Sequence, residues 1–387
     1  MRILVAPDKF KDAISAPAAC DAIKAGISAA RPAADIRICP LGDGGEGTGP
    51  LLASALEAQP RITTVKDPLK RVRQAHFWFQ KQTHTAIVEM AEASGLWLLP
   101  AHQRLAMRTT SFGTGQLLAA ARDAGAGRVY LCIGGSATVD GGAGCLQALG
   151  WQLLDADGRV ITEPVSGGSL PNISNIRPPE SLPALDIEVL CDVTNPLLGP
   201  HGAAATYGPQ KGAQPADVVQ LEAGLSQWAD VLAGASGSDL RALPGAGAAG
   251  GIAFGLAAAL NARLVPGFDC VADHLKLNDK LSGCQLCLTG EGCLDEQTIA
   301  GKVVAGVAQR ARAAGVPVVA LVGATSQDPG SSLSDLARKL GLHAIQVITP
   351  SGTPLKQALA ETPKNLRTAT AAYLTENQES QGGRSSC

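Results

Sequence analysis

Aromatic residues are scarce: Phe, Tyr and Trp together make up 3% of the 387 residues. No run of Lys and Arg interleaves with them, and the formal net charge is −2. The stacking platforms and basic stripe of a nucleic-acid binder are therefore missing. Long apolar runs are missing too. The least charged stretch, residues 242–262, is rich in Gly and Ala, contains Pro244 and Asn261, and is too weakly apolar to span a membrane. The opening MRILV leads straight into a strand pattern with no signal-peptide layout, so a cytoplasmic protein is expected. Metal-ligand spacings are absent: the six histidines are dispersed, and Cys284 and Cys287 have no second CxxC. On a strand those two thiols point to opposite faces, so buried, reduced thiols are expected rather than a zinc site. The familiar phosphate signatures are missing as well. Gly301-Lys302 runs into Val303 and not Ser or Thr, and no HRD or DFG set exists. One GxGxxG match, at 245–250, has no strand before it and reads as a close-packed loop.

What is present is glycine and proline, 45 and 24 residues, scattered between periodic segments. That distribution marks working loops and not disorder. The apolar mass is largely Ala, Leu, Val and Ile, which suits helices packed on a parallel sheet. At this length two domains are expected. Strands at 2–8 and 35–41 alternate with helices at 17–30 and 46–58. Near the other end, strands at 287–289, 316–322 and 344–348 alternate with helices at 302–314 and 333–340. Together they predict one doubly wound parallel sheet built from both ends of the chain. Between them, strands at 61–65, 75–79 and 85–90 have short connections and should be antiparallel. Further strands follow at 129–133 and 187–190, and 171–183 and 233–251 read as surface connections. The expected fold class is α/β, with residues 1–64 and 283–374 forming one discontinuous domain. An α/β domain at 65–282 is inserted in it, and a polar tail at 375–387 is expected to lack structure.

Five segments share a design in which an apolar strand runs into a turn carrying a carboxylate. They are VAPDKFK (5–11), LGDGGEGT (41–48), IGGSATVDGG (133–142), CDVTNP (191–196) and LTGEGCLD (288–295). Three of them contain glycine, which lets backbone N–H groups approach an anion. Carboxylates in the same place repel a phosphate unless a cation intervenes, so the pattern points to phosphoryl transfer with Mg²⁺ or a base for a hydroxyl nucleophile. Each loop alone reads better as a structural turn whose Asp or Glu caps a helix. Five at strand ends shift the balance to function. SFGTG (111–115) opens a helix and reads either as an anion cradle or as an ordinary N-cap.

Ordered along the chain, these segments and VEMAEASGL (88–96), TTSFGTG (109–115), YGPQKGA (207–213) and PGAGAAGG (244–251) closely resemble the glycerate kinase family that includes the bacterial glycerate 2-kinases. The resemblance implies a flavodoxin-like domain with an inserted second α/β domain. It also implies transfer of the γ-phosphate of ATP to D-glycerate, with Mg²⁺, giving 2-phosphoglycerate. A kinase of a related hydroxy acid and an inactive anion-binding relative are the alternatives. Carried onto this sequence, the expected base is Asp192, with Asp43 second. Lys11 is the first cation for the substrate carboxylate, and Lys211 and Lys302 stand behind it. Asp8, Ser136, Thr138 and Asn195 join the substrate set. Gly44, Gly45, Thr114, Gly115, Gly290 and Glu291 join Lys302 in the nucleotide or phosphate set. Asp43, Glu46 and Asp295 are the expected metal ligands. Four departures from the family pattern stand out: Val139 for Asn, Cys293 for Arg, Leu105-Ala106 for an Asn/Asp-Pro pair, and Ala242 for an acidic residue.

Overall fold

The computed structural model describes residues 1–180, 185–294, 303–325 and 332–382. They divide into two compact units, Met1–Asp43 with Phe268–Cys387, and Gly44–Gly267.

The first unit is built on five parallel strands in the order Ala344–Val347, Val318–Thr325, Leu286–Leu294, Arg2–Val5 and Asp35–Ile38. Counted within the unit this is the order 2-1-3-4-5 reversed, the flavodoxin-like doubly wound sheet expected above. Ile3, Leu4 and Val5 are fully buried, as a central strand covered on both faces requires. The helix Ala16–Ala30 starts at Ser15, whose side chain accepts from Ala18 N, with Pro17 in the first turn. Its Gly26 lets Arg367 and Thr370 of the helix Leu355–Gly382 come close, since a Cβ there would sit 2.5 Å from the Arg367 carbonyl. Ile3, Val5, Phe10, Ile23, Ile27, Leu288, Leu321 and Leu366 form the core between sheet and helices.

The second unit holds a six-stranded mixed sheet in the order Arg263–Val265, Asp186–Leu190, Arg128–Cys132, Thr85–Glu89, Val72–Gln80 and Gln59–Lys66. The first four are parallel and the last two join antiparallel, as the short connections predicted. Val72–Gln80 shows the reason in its alternation: Ala75, Phe77 and Phe79 point into the core while their neighbours face outward. That core includes Leu117, Val129, Leu131, Phe254 and the fully buried Trp228.

Five local expectations are revised. The helix after the second strand is Thr48–Ala55, and it belongs to the inserted unit, which moves the first boundary from 64/65 to 43/44. Its Gly49 N–H donates to Glu89 Oε1 at 2.6 Å and packs against Trp78, tying it to the second sheet. The second boundary moves from 282/283 to 267/268, because Phe268 packs over Gly306 of the first unit. The stretch at 171–183 is more than a connection, since Asn175–Arg177 pairs antiparallel with Gln152–Leu154. The stretch at 233–251 begins inside a 22-residue helix, Pro215–Ser236, whose buried Leu221, Leu225, Trp228 and Leu232 were not singled out in the sequence. The C-terminal helix continues to Gly382, into the segment expected to lack structure; residues 383–387 lie outside the described ones. No described helix is long and apolar enough to cross a membrane.

Candidate functional site

In the flavodoxin-like unit, strands Arg2–Val5 and Leu286–Leu294 stay joined beyond their ladder. Ala6 N donates to Leu288 O at 2.8 Å, Asp8 N to Gly290 O at 2.9 Å, and Thr289 Oγ1 to Ala6 O at 2.8 Å. The winding of the sheet reverses between these two strands, and crevices at such points are where open α/β sheets take ligands. Asp8 and Glu291 are buried here, with Asp43 half-buried. Asp8 Oδ1 accepts from Lys9 N at 2.6 Å. Burial first, then the negative charges of Asp43 and Glu291, push the Asp8 carboxyl well above the usual carboxylate range, against the opposing pull of Lys9. Lys11 is exposed, with its backbone N against Gly292. Gly290 has a packing reason to be glycine: a Cβ there would collide with Leu321 O.

Of the expected metal ligands, Asp43 and Glu46 lie among the described residues. Among the described residues no three His, Cys, Asp or Glu side chains converge as a metal cage. Asp43 acts on Asp8 in the first unit, while Glu46 stands by Gly135 in the second, about where a Cβ on that glycine would lie 3.6 Å from its Oε2. Asp295 and Lys302 lie outside the described residues. Mg²⁺ keeps several waters and needs only one or two protein carboxylates beside substrate phosphates. The crowded Asp8 and Asp43 carboxylates, with Glu291 near, fit that demand.

In the inserted unit the chemistry-bearing loops gather at the carboxyl ends of the parallel strands. Gly134 N donates to Gly44 O at 3.2 Å, and Gly44, at φ +85°, lies so close to Leu190 that a Cβ would be 2.8 Å from that of the leucine. Gly134 in turn has no room for a Cβ because Gly45 Cα fills it. Gly44 and Gly134 are thus glycines first for packing.

The loop 133–142 is held at almost every residue. Ala137 N donates to Ser94 O and its carbonyl accepts from Thr109 Oγ1, each at 2.8 Å. Gly141 N donates to Gly250 O, and Gly141 O accepts from the buried Trp228 Nε1, each at 3.0 Å. Lys211, 2% exposed, donates from Nζ to Ser136 Oγ at 2.8 Å and Thr138 O at 2.7 Å. Burial pushes its ammonium down to about 7, although the Asp140 charge favours the protonated form. Asp140 is completely buried and accepts from Ser111 N at 2.7 Å, Ser111 Oγ at 2.8 Å and Gly142 N at 3.2 Å. Its carboxyl is raised by burial, with the Ser111 hydrogen bonds pulling the other way. Thr138 Oγ1 is buried and has no hydrogen-bond partner among the described residues.

Thr114 and Gly115, expected at a phosphate, have internal uses. Thr114 Oγ1 donates to Ser94 Oγ at 2.8 Å, and a Cβ on Gly115 would strike Cys145 O. Asp192 is half-buried, and its Oδ1 accepts from Gly267 N at 2.7 Å. Asn195 is oriented on both sides: Nδ2 donates to His201 O, and Oδ1 accepts from Tyr207 Oη, each at 2.8 Å. Asp140, Ser111, Tyr207 and Glu89 were not assigned roles from the sequence. All four lie inside the quoted motifs, but the pairings that use them join residues 12 to 40 positions apart.

The GxGxxG match at 245–250 is a packing device, as expected. Gly250, at φ +76°, brings its backbone against Thr138 O, leaving no space for a side chain. The family departures are accommodated locally. Val139 joins the apolar core, Ala106 is buried, and Leu105, Ala242 and Cys293 are exposed.

The model of the glycerate kinase family matches residues 3–376. A glycerate kinase of Bacillus subtilis (strain 168) is 42% identical over 361 residues, covering 92% of this chain and 93% of its own length. A glycerate 2-kinase of Escherichia coli (strain K12) is 41% identical over 357 residues, covering 91% and 92%. A crystal structure from Salmonella typhimurium LT2, provisionally described as a glycerate kinase 2, superposes with a TM-score of 0.81 at 38% identity, covering 99% of both chains. With loops, sheet order and these likenesses in agreement over nearly its whole length, the chain belongs to the glycerate kinase family.

Proposed function

We propose that this protein transfers the γ-phosphate of ATP to the 2-hydroxyl of D-glycerate, giving 2-phosphoglycerate and ADP. The observation that carries the reading is the family match from residue 3 to residue 376, a span that contains all the quoted loops. Phosphoryl transfer asks the protein to position two anions, neutralise charge and accept one proton. Asp192 is the proposed base, and the hydrogen bond from Gly267 N fixes one of its carboxylate oxygens in place. Lys11, exposed beside Gly292, is the proposed cation for a substrate carboxylate or phosphate. Asp43, with Asp8 and Glu291 near it, is the proposed metal-ligand group. Mg²⁺ bound there would neutralise charge on the β- and γ-phosphates. Ser136, Asn195 and the unpartnered hydroxyl of Thr138 are proposed to face the substrate.

The test is ADP release from ATP and Mg²⁺ across D-glycerate, L-glycerate, tartronate and hydroxypyruvate. Release with D-glycerate, and a product that enolase consumes without a mutase, supports the reading. Preference for another acid moves the enzyme to a related substrate, which the Cys293 departure makes worth testing. Silence on all four overturns a kinase reading. Asp192→Asn and Asp43→Asn should each lose about 10²-fold or more in kcat with folding intact. Near-wild-type kcat in both would overturn the residue assignments.

A further inference from the structure

The loop 133–142 is gripped from inside the protein by two buried charges. Lys211 Nζ holds it at Ser136 Oγ and Thr138 O, and Asp140 anchors its far end to Ser111 and Gly142. We propose that Lys211 and Asp140 are positioning residues, which hold this loop in its working shape from the protein side and touch neither glycerate nor nucleotide. The proposal rests on the kinase reading above for its consequences on activity.

Three observations carry it. First, the lysine is 2% exposed and spends its ammonium on protein oxygens, at 2.7 and 2.8 Å. A lysine that meets a substrate directly keeps its head group at a surface the substrate can reach. Second, Asp140 has no exposed atoms, and the Ser111 hydroxyl that donates to it also accepts from Cys145 N at 3.0 Å. Asp140 therefore joins three segments, the turn before helix Phe112–Asp123, the loop itself and helix Ala143–Ala148. Third, the two groups are of opposite sign and act on one loop, and the Asp140 charge favours the protonated form of Lys211. Each lowers the cost of burying the other, and a buried charge left alone is far more damaging than a pair removed together. Lys211 also stands 5.9 Å over the ring of Tyr207, the residue that orients Asn195, so the lysine supports two substrate-facing groups at once.

The test uses the full chain as wild type, Lys211→Arg, Lys211→Met, Asp140→Asn and the double variant Asp140→Asn/Lys211→Met. Amide hydrogen exchange is read without ligands in peptides covering 133–144, with strand Arg128–Cys132 as internal control. Exchange in 133–144 should quicken about tenfold or more in each single neutralising variant, and less in Lys211→Arg, with the strand unchanged. With D-glycerate and ATP, Lys211→Met should lose about 10²-fold in kcat while KM for glycerate moves less than about threefold. The double variant should lose no more than the worse single, because its two substitutions leave no lone buried charge. If the singles do not fold, the double variant carries both measurements. A KM for glycerate raised about tenfold or more with kcat kept, and exchange unaltered, would make Lys211 a direct substrate ligand and overturn the proposal. Multiplicative losses in the double variant would overturn it too. A wild type that releases no ADP with glycerate defeats the kinase reading alone, and the exchange data then still decide whether these residues hold the loop.

Discussion

Lys211 Nζ donates to Ser136 Oγ across 2.8 Å, inside a core that leaves the lysine 2% exposed. Burial pushes that ammonium from its ordinary 10.5 down to about 7. Between these values the unfolded chain holds a proton that the folded chain has released, so this residue's contribution to stability rises with pH across the window. Below about pH 7 both states are protonated and the full cost of a buried charge is felt. The free energy of urea unfolding, wild type minus Lys211→Met, should therefore grow by a few kcal/mol between pH 6.5 and 9.5. A difference that stays flat would show that the lysine titrates as it does in water.

Gly250 sits at φ +76° with its backbone on Thr138 O. Gly250→Ala adds a methyl where there is no space and in a conformation L residues avoid. It should destabilise the inserted unit by roughly 2–4 kcal/mol in urea titration. A cost below about 0.5 kcal/mol would mean the loop can shift without loss.

The Asp43 charge raises the Asp8 carboxyl, and the cation proposed for this site would offset that repulsion. The rise in Tm produced by adding Mg²⁺ to the protein with ADP should shrink in Asp43→Asn by about 2–4 °C for each kcal/mol of binding lost. An unchanged Mg²⁺-dependent shift would remove Asp43 from the metal set.

Cys293 is exposed at the end of strand Leu286–Leu294, where the family pattern usually has Arg. Cys293→Arg places a long cationic side chain at this exposed position. It should lower KM for one of the two anionic substrates by roughly tenfold, the scale of one hydrogen bond to a charged group, with stability unchanged. Steady-state kinetics with glycerate and ATP varied in turn decide it, and unchanged KM values for both would rule out a missing cation.

Strands with a one-sided or continuous apolar pattern were legible from local sequence. RILV at 2–5 and the alternation of Ala75, Phe77 and Phe79 needed no tertiary context to be read. The 22-residue helix at Pro215–Ser236 was harder, because its buried Leu221, Leu225, Trp228 and Leu232 are separated by many small residues. The helix Thr48–Ala55 was legible, but not the sheet it packs on. That choice depends on Glu89, 40 positions from the Gly49 N–H it accepts. The glycines were read as openings for anions. Gly44, Gly115, Gly134 and Gly290 each prove to be close-packed against backbone or core, a requirement that local sequence does not carry.

By itself, then, the sequence determined the order of strands and turns, the carboxylates at strand ends and the family they belong to, since each is a local pattern repeated along the chain. Only the tertiary structure decided that Lys211 is interior, that Asp140 rather than a surface charge stands opposite it, and that Asp8 shares its surroundings with Asp43 and Glu291. Burial and electrostatic fields are sums over groups distant in the chain: 71 positions separate Asp140 from Lys211, and 283 separate Asp8 from Glu291. No window along the sequence contains both members of either pair.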